Sequence, residues 1–162
     1  MPFTLIQLSG SQLEDLSASR VPPLLAERLE QGALPPAFVA ARSLDLGANG
    51  YPEPWSTSFL IVREQDDRIV GACGFKTAPT DGRVEVGYGV AVSARGQGAA
   101  TEALKLLVVK AFEAGATEIL AEVVPDNHAS VKVVEKNGFI RTGAQNDKNG
   151  DYVVQWVRSS AA

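Results

Sequence analysis

Residues 90–104 read Val90-Ala-Val-Ser-Ala-Arg-Gly-Gln-Gly-Ala-Ala-Thr-Glu-Ala-Leu104 and connect a predicted strand to a predicted helix. The first backbone N–H groups of a helix have no partner within it, and the helix dipole is positive at that end. Gly96 and Gly98 allow the chain to turn tightly and to approach a ligand without a Cβ in the way. The stretch therefore predicts a binding site for an anion, and its geometry suits a pyrophosphate.

The glycine pair has structural alternatives. Two glycines also suit a plain tight turn between a strand and a helix, and this alternative stays open. A P-loop would need Lys followed by Ser or Thr after the glycines, and none stands in the required register. A dinucleotide-binding Rossmann loop would need a third glycine where Thr101 stands. What remains is an Arg-x-x-Gly-x-Ala pattern made by Arg95, Gly98 and Ala100.

The chain after this loop alternates helices and strands. Residues 100–114 predict an amphipathic helix that ends at Gly115, because apolar side chains recur at helical spacing. These apolar residues are Ala103, Leu104, Leu107, Val108 and Ala111. The elements predicted next are a strand, a helix and two strands, at residues 117–124, 127–137, 139–143 and 151–158.

The chain before the loop predicts a meander of antiparallel strands. The three strands of the meander fall at residues 58–63, 68–76 and 83–92. Upstream of them, a strand is predicted at residues 3–8 and helices at residues 22–31 and 36–46. This order predicts an α/β fold with a mixed sheet, in a single domain over residues 1–162.

Composition narrows the chemistry that the chain can perform. Its 162 residues are 45% hydrophobic and 21% charged, and the net charge of −4 does not suit a nucleic-acid partner. No apolar run is long enough to span a membrane and the start does not resemble a signal peptide, so we expect a cytoplasmic protein with no membrane partner. One histidine, His128, and one cysteine, Cys73, exclude a disulfide framework and a Cys/His metal cluster. We therefore expect no metal, and chemistry that uses carboxylates, hydroxyls, amides and backbone groups.

Three sequence blocks together are similar to the GNAT superfamily of acetyl-CoA-dependent N-acetyltransferases. The Arg-x-x-Gly-x-Ala pattern matches the family's phosphate-binding signature. The other blocks are Glu85-Val-Gly-Tyr88 before it, and Asn127-His-Ala-Ser130 with Glu135-Lys-Asn-Gly-Phe139 after it. They stand in the family's order and spacing over residues 58–158 and look like the branch that includes the RimJ/RimL-type protein N-terminal acetyltransferases. The resemblance implies a GNAT-like fold, in which a central, mostly antiparallel sheet is splayed at the cofactor site and carries helices on both faces.

The resemblance also implies acetyl-CoA as co-substrate and direct transfer of its acetyl group to an amine, without a covalent intermediate on the protein. The expected cofactor-binding residues come from the strand end, the loop and the third block. They are Val90, Ala91, Val92, Arg95, Gly96, Gln97, Gly98, Ala99, Ala100, Thr101 and Asn127. The pantetheine arm is expected to pair with the backbone of residues 90–92.

Glu85 is the first of three expected catalytic residues. Strand alternation puts it on a face with almost no other side chains, since its neighbours there are Gly87, Gly89 and Ala91. The opposite face holds Val84, Val86, Tyr88, Val90 and Val92. A bare face of this kind can border a ligand groove, and the glycines permit a bulge. The family motif favours Glu85 as general base, directly or through water, or as the group that positions the ammonium; the alternative is a solvated strand carboxylate.

Asn127 and Ser130 are the other two expected catalytic residues. Both suit a plain helix N-terminus, where Asn and Ser satisfy free N–H groups. The resemblance assigns Asn127 to pantetheine and brings the Ser130 hydroxyl near the thioester sulfur. Many members of the family carry a tyrosine as general acid where this chain has Val134. Ser130, an ordered water or solvent must then protonate the departing thiolate.

The acceptor is expected to be a primary amine. Residues 1–57 would form the acceptor side, and residues 58–158 would form the core with the CoA site. Carboxylates are in excess in the first half of the chain, and this excess suits a cationic amine. Trp55, Glu85 and Tyr152 are the expected substrate residues, with a core anchor as the alternative for Trp55. An N-terminal α-amine of a protein or peptide is favoured because its pKa of about 7.7–8.0 leaves it partly neutral. Small amines, amino acids or an antibiotic remain alternative acceptors. A non-catalytic acyl-CoA-binding module remains the alternative class of protein. The protein is expected to be a monomer or a homodimer.

Overall fold

In the computed structural model, which describes residues 2–160, seven strands combine with four α-helices. The strands are β1 (Phe3–Gln7), β2 (Ser58–Arg63), β3 (Arg68–Phe75), β4 (Arg83–Val90), β5 (Glu118–Val123), β6 (Ile140–Asn146) and β7 (Tyr152–Ser159). The helices are α1 (Gly10–Ser17), α2 (Ala37–Ala48), α3 (Ala99–Glu113) and α4 (His128–Lys136). The strands form one sheet in the order β1-β2-β3-β4-β5-β7-β6.

The sheet opens between β4 and β5. These two strands are parallel and all other neighbours in the sheet are antiparallel. Pairing between β4 and β5 begins at Arg83 and stops at Glu85, which lies opposite Leu120, although β4 continues to Val90. Beyond Glu85 the two strands separate, so the prediction of a mostly antiparallel, splayed sheet is confirmed.

Helices cover both faces of the sheet, as predicted. On one face, α3 and α4 bury Leu104, Leu107 and Val134 in a core that also contains Val84 and Val86 of β4. On the other face, α1 and α2 pack over a second core of buried aliphatic side chains. Its members include Leu13, Ala40, Leu60, Ile69 and Ala91.

The alternation predicted for β4 holds up to Ala91 and fails at Val92. Val84 and Val86 are buried in the first core, whereas Ala91 belongs to the second. Val92 begins a short 3-10 turn and is 72% exposed. The Ala91 N–H still donates to the Val70 carbonyl of β3, and the chain then leaves the sheet in the turn that begins at Val92.

The helix predicted at residues 22–31 is wrong. Only Ala26–Arg28 forms a 3-10 turn, and Leu29 makes a parallel bridge to Ile69. The Arg68 guanidinium donates to the carbonyl oxygens of Glu27 and Leu29, and the Glu30 N–H donates to the Ile69 carbonyl. Strand β3 therefore binds backbone groups that a helix would pair internally.

Helix α1 was not predicted, although the sequence contains its start signal. Ser9 caps the helix by accepting from the Gln12 N–H, and the Gln12 side chain accepts in return from the Ser9 N–H. This reciprocal capping box is readable as Ser-x-x-Gln. The helix buries only Leu13 and Leu16, so its apolar pattern is too short to stand out.

Two glycines give opposite predictions for stability. A Cβ at Gly71 in β3 would lie 2.3 Å from the Gly89 carbonyl oxygen of β4, so Gly71→Ala should lower the free energy of unfolding by about 1–3 kcal/mol or more. Gly47 lies in α2, where a Cβ would meet only Ser56 at 3.7 Å. Gly47→Ala should raise the free energy of unfolding by about 0.5–1 kcal/mol. Urea unfolding of both variants measures the contrast; equal effects would contradict this packing of β3 against β4.

Candidate active site

The loop between β4 and α3 presents a row of free backbone donors. Gly96 and Gly98 adopt left-handed conformations, with φ of 78° and 86°. Within the described residues, the N–H groups of residues 96–101 donate to no protein acceptor, and Gly98 caps α3 without a side-chain bond. Successive free N–H groups at the positive end of a 15-residue helix form a site for an anion.

Side chains of this loop anchor it to the rest of the protein. The Gln97 side-chain oxygen accepts from the Arg63 guanidinium of β2 at 2.8 Å. The Thr101 carbonyl accepts from the side-chain amide of Asn137, which also bonds to the Val133 carbonyl. Arg95 is exposed. The free hydrogen-bond donors of the loop are therefore its backbone N–H groups and the exposed Arg95 side chain.

The opening between β4 and β5 is a cleft of about 290 Å³. Asn127 caps α4 at its edge, accepting from the Ser130 N–H at 3.1 Å. The Ser130 hydroxyl lies 2.7 Å from the hydroxyl of Tyr88. All three residues line the cleft. The structure thus brings Asn127 and Ser130 together at the opening, in positions that also serve as a helix cap.

Tyr88 was not selected as a site residue from the sequence. The available signal was its place in the Glu85–Tyr88 block, three residues after the expected carboxylate. Val134, where the family tyrosine would stand, is fully buried and offers no hydroxyl. The hydroxyl of Tyr88 reaches α4 from β4 and contacts Ser130, one turn before Val134.

Glu85 lines a larger cavity of about 880 Å³ on the α2 side of the sheet. Its carboxylate accepts from the Lys76 ammonium at 2.8 Å, and the two residues are cross-strand neighbours joined also by the Lys76 N–H and the Glu85 carbonyl. Lys76, Gly87 and Tyr88 line both this cavity and the cleft, so the two spaces adjoin. Glu85 therefore stands at the point where the strands separate and the cavities meet.

Cations line this cavity from the N-terminal half of the chain. They are Arg42 of α2 and Lys76, and no carboxylate from residues 2–82 reaches the lining. The expectation that the acidic half supplies carboxylates to the acceptor side is wrong for this cavity. Glu30 and Asp66 instead bind the Arg63 guanidinium, which ties β2 to the segment before α2.

The two aromatic residues expected at the acceptor lie outside both cavities. Trp55 is 5% exposed and packs edge-on against Phe75, with ring centroids 4.9 Å apart. That placement matches a core anchor. Tyr152 is 55% exposed and pairs across the β6–β7 ladder with Asn146, which lines the larger cavity.

Cys73 lines the larger cavity but is not available there as a nucleophile. Burial raises the pKa of the Cys73 thiol, so no thiolate nucleophile is present there at neutral pH. Among residues 2–160, no three His, Cys, Asp or Glu side chains gather in an arrangement able to hold a metal ion. No helix in the same residues is long and apolar enough to cross a membrane.

Tyr88 gives a prediction for alkaline stability. Burial raises the pKa of Tyr88 above its ordinary value of 10.0, against a smaller lowering by its bond to Ser130. The folded state then holds the phenolic proton more strongly than the unfolded state does. The free energy of unfolding should fall as pH rises from about 10, by up to about 1.4 kcal/mol per pH unit, and Tyr88→Phe should lack this part of the fall. Urea unfolding of both proteins between about pH 8 and pH 11 checks the difference; parallel profiles would contradict it.

The sequence profile described as acetyltransferase (GNAT) domain matches residues 36–140, which is more than half of the chain. An uncharacterized N-acetyltransferase p20 from Bacillus licheniformis is 31% identical over 97 residues, which cover 59% of this chain and 54% of that protein. The chain thus spans about half the length of the curated relative that it matches.

Solved structures share the fold over nearly the whole chain. Mycobacterium smegmatis RimJ in complex with CoA-disulfide superposes with a TM-score of 0.70 at 18% identity, covering 98% of this chain and 82% of that one. The aminoglycoside acetyltransferase AAC(6')-Ib in complex with coenzyme A gives a TM-score of 0.68 at 20% identity, covering 99% and 96%. At such identities the likeness concerns the fold alone. The profile match, which reaches from the start of α2 to the start of β6, shows that the chain belongs to the GNAT acetyltransferase family.

Proposed function

We propose that this protein is an acetyl-CoA-dependent N-acetyltransferase that moves the acetyl group directly to a primary amine, with the α-amine of a protein or peptide N-terminus as the preferred acceptor. One observation carries the proposal: β4 stops pairing with β5 at Glu85, a cleft opens between the two strands, and the same chain then continues into the free N–H groups of residues 96–101. The carboxylate, the cleft and the row of free N–H groups thus follow one another along the chain.

The cofactor site uses backbone more than side chains. The N–H groups of residues 96–101 would bind the pyrophosphate of CoA. Past Glu85, β4 has no strand partner on the β5 side, so its backbone up to residues 90–92 is available to the amide groups of pantetheine. The Asn127 side-chain amide lines the same cleft. Acetyl-CoA supplies an activated thioester carbonyl.

Glu85 is suited to bind the acceptor amine. Its carboxylate already accepts a hydrogen bond from one ammonium group, that of Lys76, so a substrate ammonium can use the same acceptor oxygens. Held there, the amine nitrogen loses a proton to Glu85, directly or through a water molecule, and attacks the thioester carbonyl.

Ser130 and Tyr88 are suited to the departing sulfur. Because burial raises the pKa of Tyr88, its phenol keeps its proton at neutral pH and its hydroxyl stays available as a donor. Ser130 donates to the thiolate and Tyr88 supports Ser130 across 2.7 Å. Starting from the ammonium, the nitrogen loses two protons, one to Glu85 before the attack and one after it; one proton ends on the sulfur of the CoA thiol and the other passes to solvent, so the transfer balances without a further reactant.

The two parts of the chain divide these tasks. Residues 58–158 hold the cofactor, whereas residues 1–57 form the acceptor side, since Pro36, Phe38 and Arg42 line the cavity beside Glu85. A peptide amine with a pKa of about 7.7–8.0 needs less help to lose its proton than a lysine side chain near 10.4. Small amines, amino acids and antibiotics are the alternatives in a thiol-release screen with acetyl-CoA.

Gly98→Glu should abolish CoA binding. The substitution places a side chain and a negative charge at the N-terminus of α3, beside the free N–H groups. The melting temperature of the variant should no longer rise with CoA, whereas that of the parent protein should. Gly115→Glu is the matched control, because Gly115 also has a positive φ, of 98°, has open space around it and lies just beyond the other end of α3. A CoA-dependent shift that survives in Gly98→Glu would contradict the cofactor site.

Glu85→Gln should lower kcat for acetyl transfer by roughly 10²–10⁴-fold while the CoA-dependent thermal shift remains. The amide keeps the shape of the side chain but neither accepts a proton nor attracts an ammonium group. Glu118→Gln is the control, because Glu118 is also a strand carboxylate paired with a cation, Arg83, and lies outside both cavities. Undiminished transfer by Glu85→Gln would remove Glu85 from catalysis. CoA binding with no transfer to any acceptor by the parent protein would instead support a non-catalytic acyl-CoA-binding module.

A further inference from the structure

Arg42 differs from the other half-buried arginines of residues 2–160. Arg28 and Arg63 bind carboxylates, Arg68 binds a carboxylate and two carbonyls, and Arg158 donates to the Asn137 carbonyl. Arg42 makes no salt bridge or hydrogen bond to any described residue, and its Nε atom is fully covered. Buried arginine groups without a partner are costly, so a cation left in this state points to a ligand.

The surroundings of Arg42 do not compensate its charge. Burial lowers the pKa of Arg42, and the only opposing influence is the attraction of Glu85 across the cavity. The ring of Phe38 is also close, with its centroid 5.9 Å from the guanidinium carbon. Phe38 is itself 67% exposed and lines the same cavity. Arg42 and Phe38 together form a wall with one positive group and one apolar group.

The carboxylates of the cavity are engaged elsewhere. Glu85 binds Lys76 at 2.8 Å. Asp147 accepts the N–H groups of Asn149 and Asp151 within the β6–β7 turn. The third carboxylate of the lining, that of Glu122, is 3.5 Å from the side-chain amide of Gln155. None of these three carboxylates forms a salt bridge with Arg42, so its guanidinium is free to bind an anionic group of a ligand.

We propose that the acceptor is an amine that carries a carboxylate: Arg42 binds the carboxylate while Glu85 binds the amine. This inference rests on the proposed transferase function and narrows its substrate class. The lining places Arg42, Lys76 and Lys148 beside an equal number of carboxylates, so a polycation such as a polyamine or an aminoglycoside gains no net attraction there. The carboxylate belongs either to the side chain of an acidic residue near a peptide N-terminus or to a free amino acid, and a cavity of about 880 Å³ has room for both.

Matched acceptors separate the two sources. One arm compares peptide amides that differ only by Glu or Gln at one of their first three positions. The other compares free alanine with alaninamide, and spermidine and kanamycin serve as polycations. Initial rates of CoA thiol release give kcat/KM for each acceptor with the parent protein and with Arg42→Gln. The preference within each pair, expressed as a ratio of kcat/KM values, is compared between the parent protein and Arg42→Gln. This comparison cancels the difference in amine pKa between the members of the pair.

The parent protein should prefer the carboxylate-bearing member of at least one pair by roughly 10–100-fold in kcat/KM, the strength of a charged hydrogen bond. Arg42→Gln should reduce that preference to within about 3-fold, while Arg42→Lys should keep part of it. Arg141→Gln is the control, since Arg141 is an exposed cation outside both cavities and should leave the preference unchanged. The CoA-dependent thermal shift should be the same in all these variants.

Three results would overturn the inference and leave the proposed function intact: no preference in the parent protein, a preference that survives Arg42→Gln, or spermidine or kanamycin as the best acceptor. Thiol release with none of the acceptors would overturn the proposed function, and the inference with it.

Discussion

The end of hydrogen bonding between β4 and β5 is the constraint on which the rest of the structure depends. Because pairing stops at Glu85 and Leu120, a cleft forms between two strands of a continuous sheet. The carboxylate of Glu85 lies at the point where the two strands separate. Further along β4 the chain turns into the free N–H groups ahead of α3. The row of free N–H groups, the cleft and the carboxylate are therefore fixed relative to one another by a single strand.

Many charged side chains of this fold form salt bridges that hold its elements together. The acidic residues of the first half mainly bind arginines; for example, Glu30 and Asp66 bind Arg63, whose guanidinium also holds Gln97 of the anion loop. These bonds connect β2 to the segment before α2 and to the loop ahead of α3. The cavity itself receives cations, Arg42 and Lys76, from the same half. The net charge of the first half of the chain was thus a poor guide to which of its charged side chains line the cavity.

Local signals predicted most of the fold correctly. The strands, α2, α3 and α4 fall within one to three residues of their predicted bounds, because period-two and helical apolar patterns are read directly from sequence. The predictions failed where contacts between residues distant in the sequence override local propensity. Leu29 pairs with Ile69 of β3 instead of continuing a helix, and Trp55 packs on Phe75 away from both cavities. The partner of Leu29 is distant in the sequence, and the direction of the Trp55 side chain depends on packing.

The sequence by itself determined the elements whose physics is local: the anion loop with Gly96 and Gly98, the amphipathic α3, and a strand carboxylate, Glu85, with glycines beside it. Only the tertiary structure decided which side chains meet across that frame. The contact of Tyr88 with Ser130 joins residues 42 positions apart, and Lys76 meets Glu85 through the turn between β3 and β4. Such contacts depend on strand register and on the angle at which helices pack, and no short stretch of sequence encodes either one.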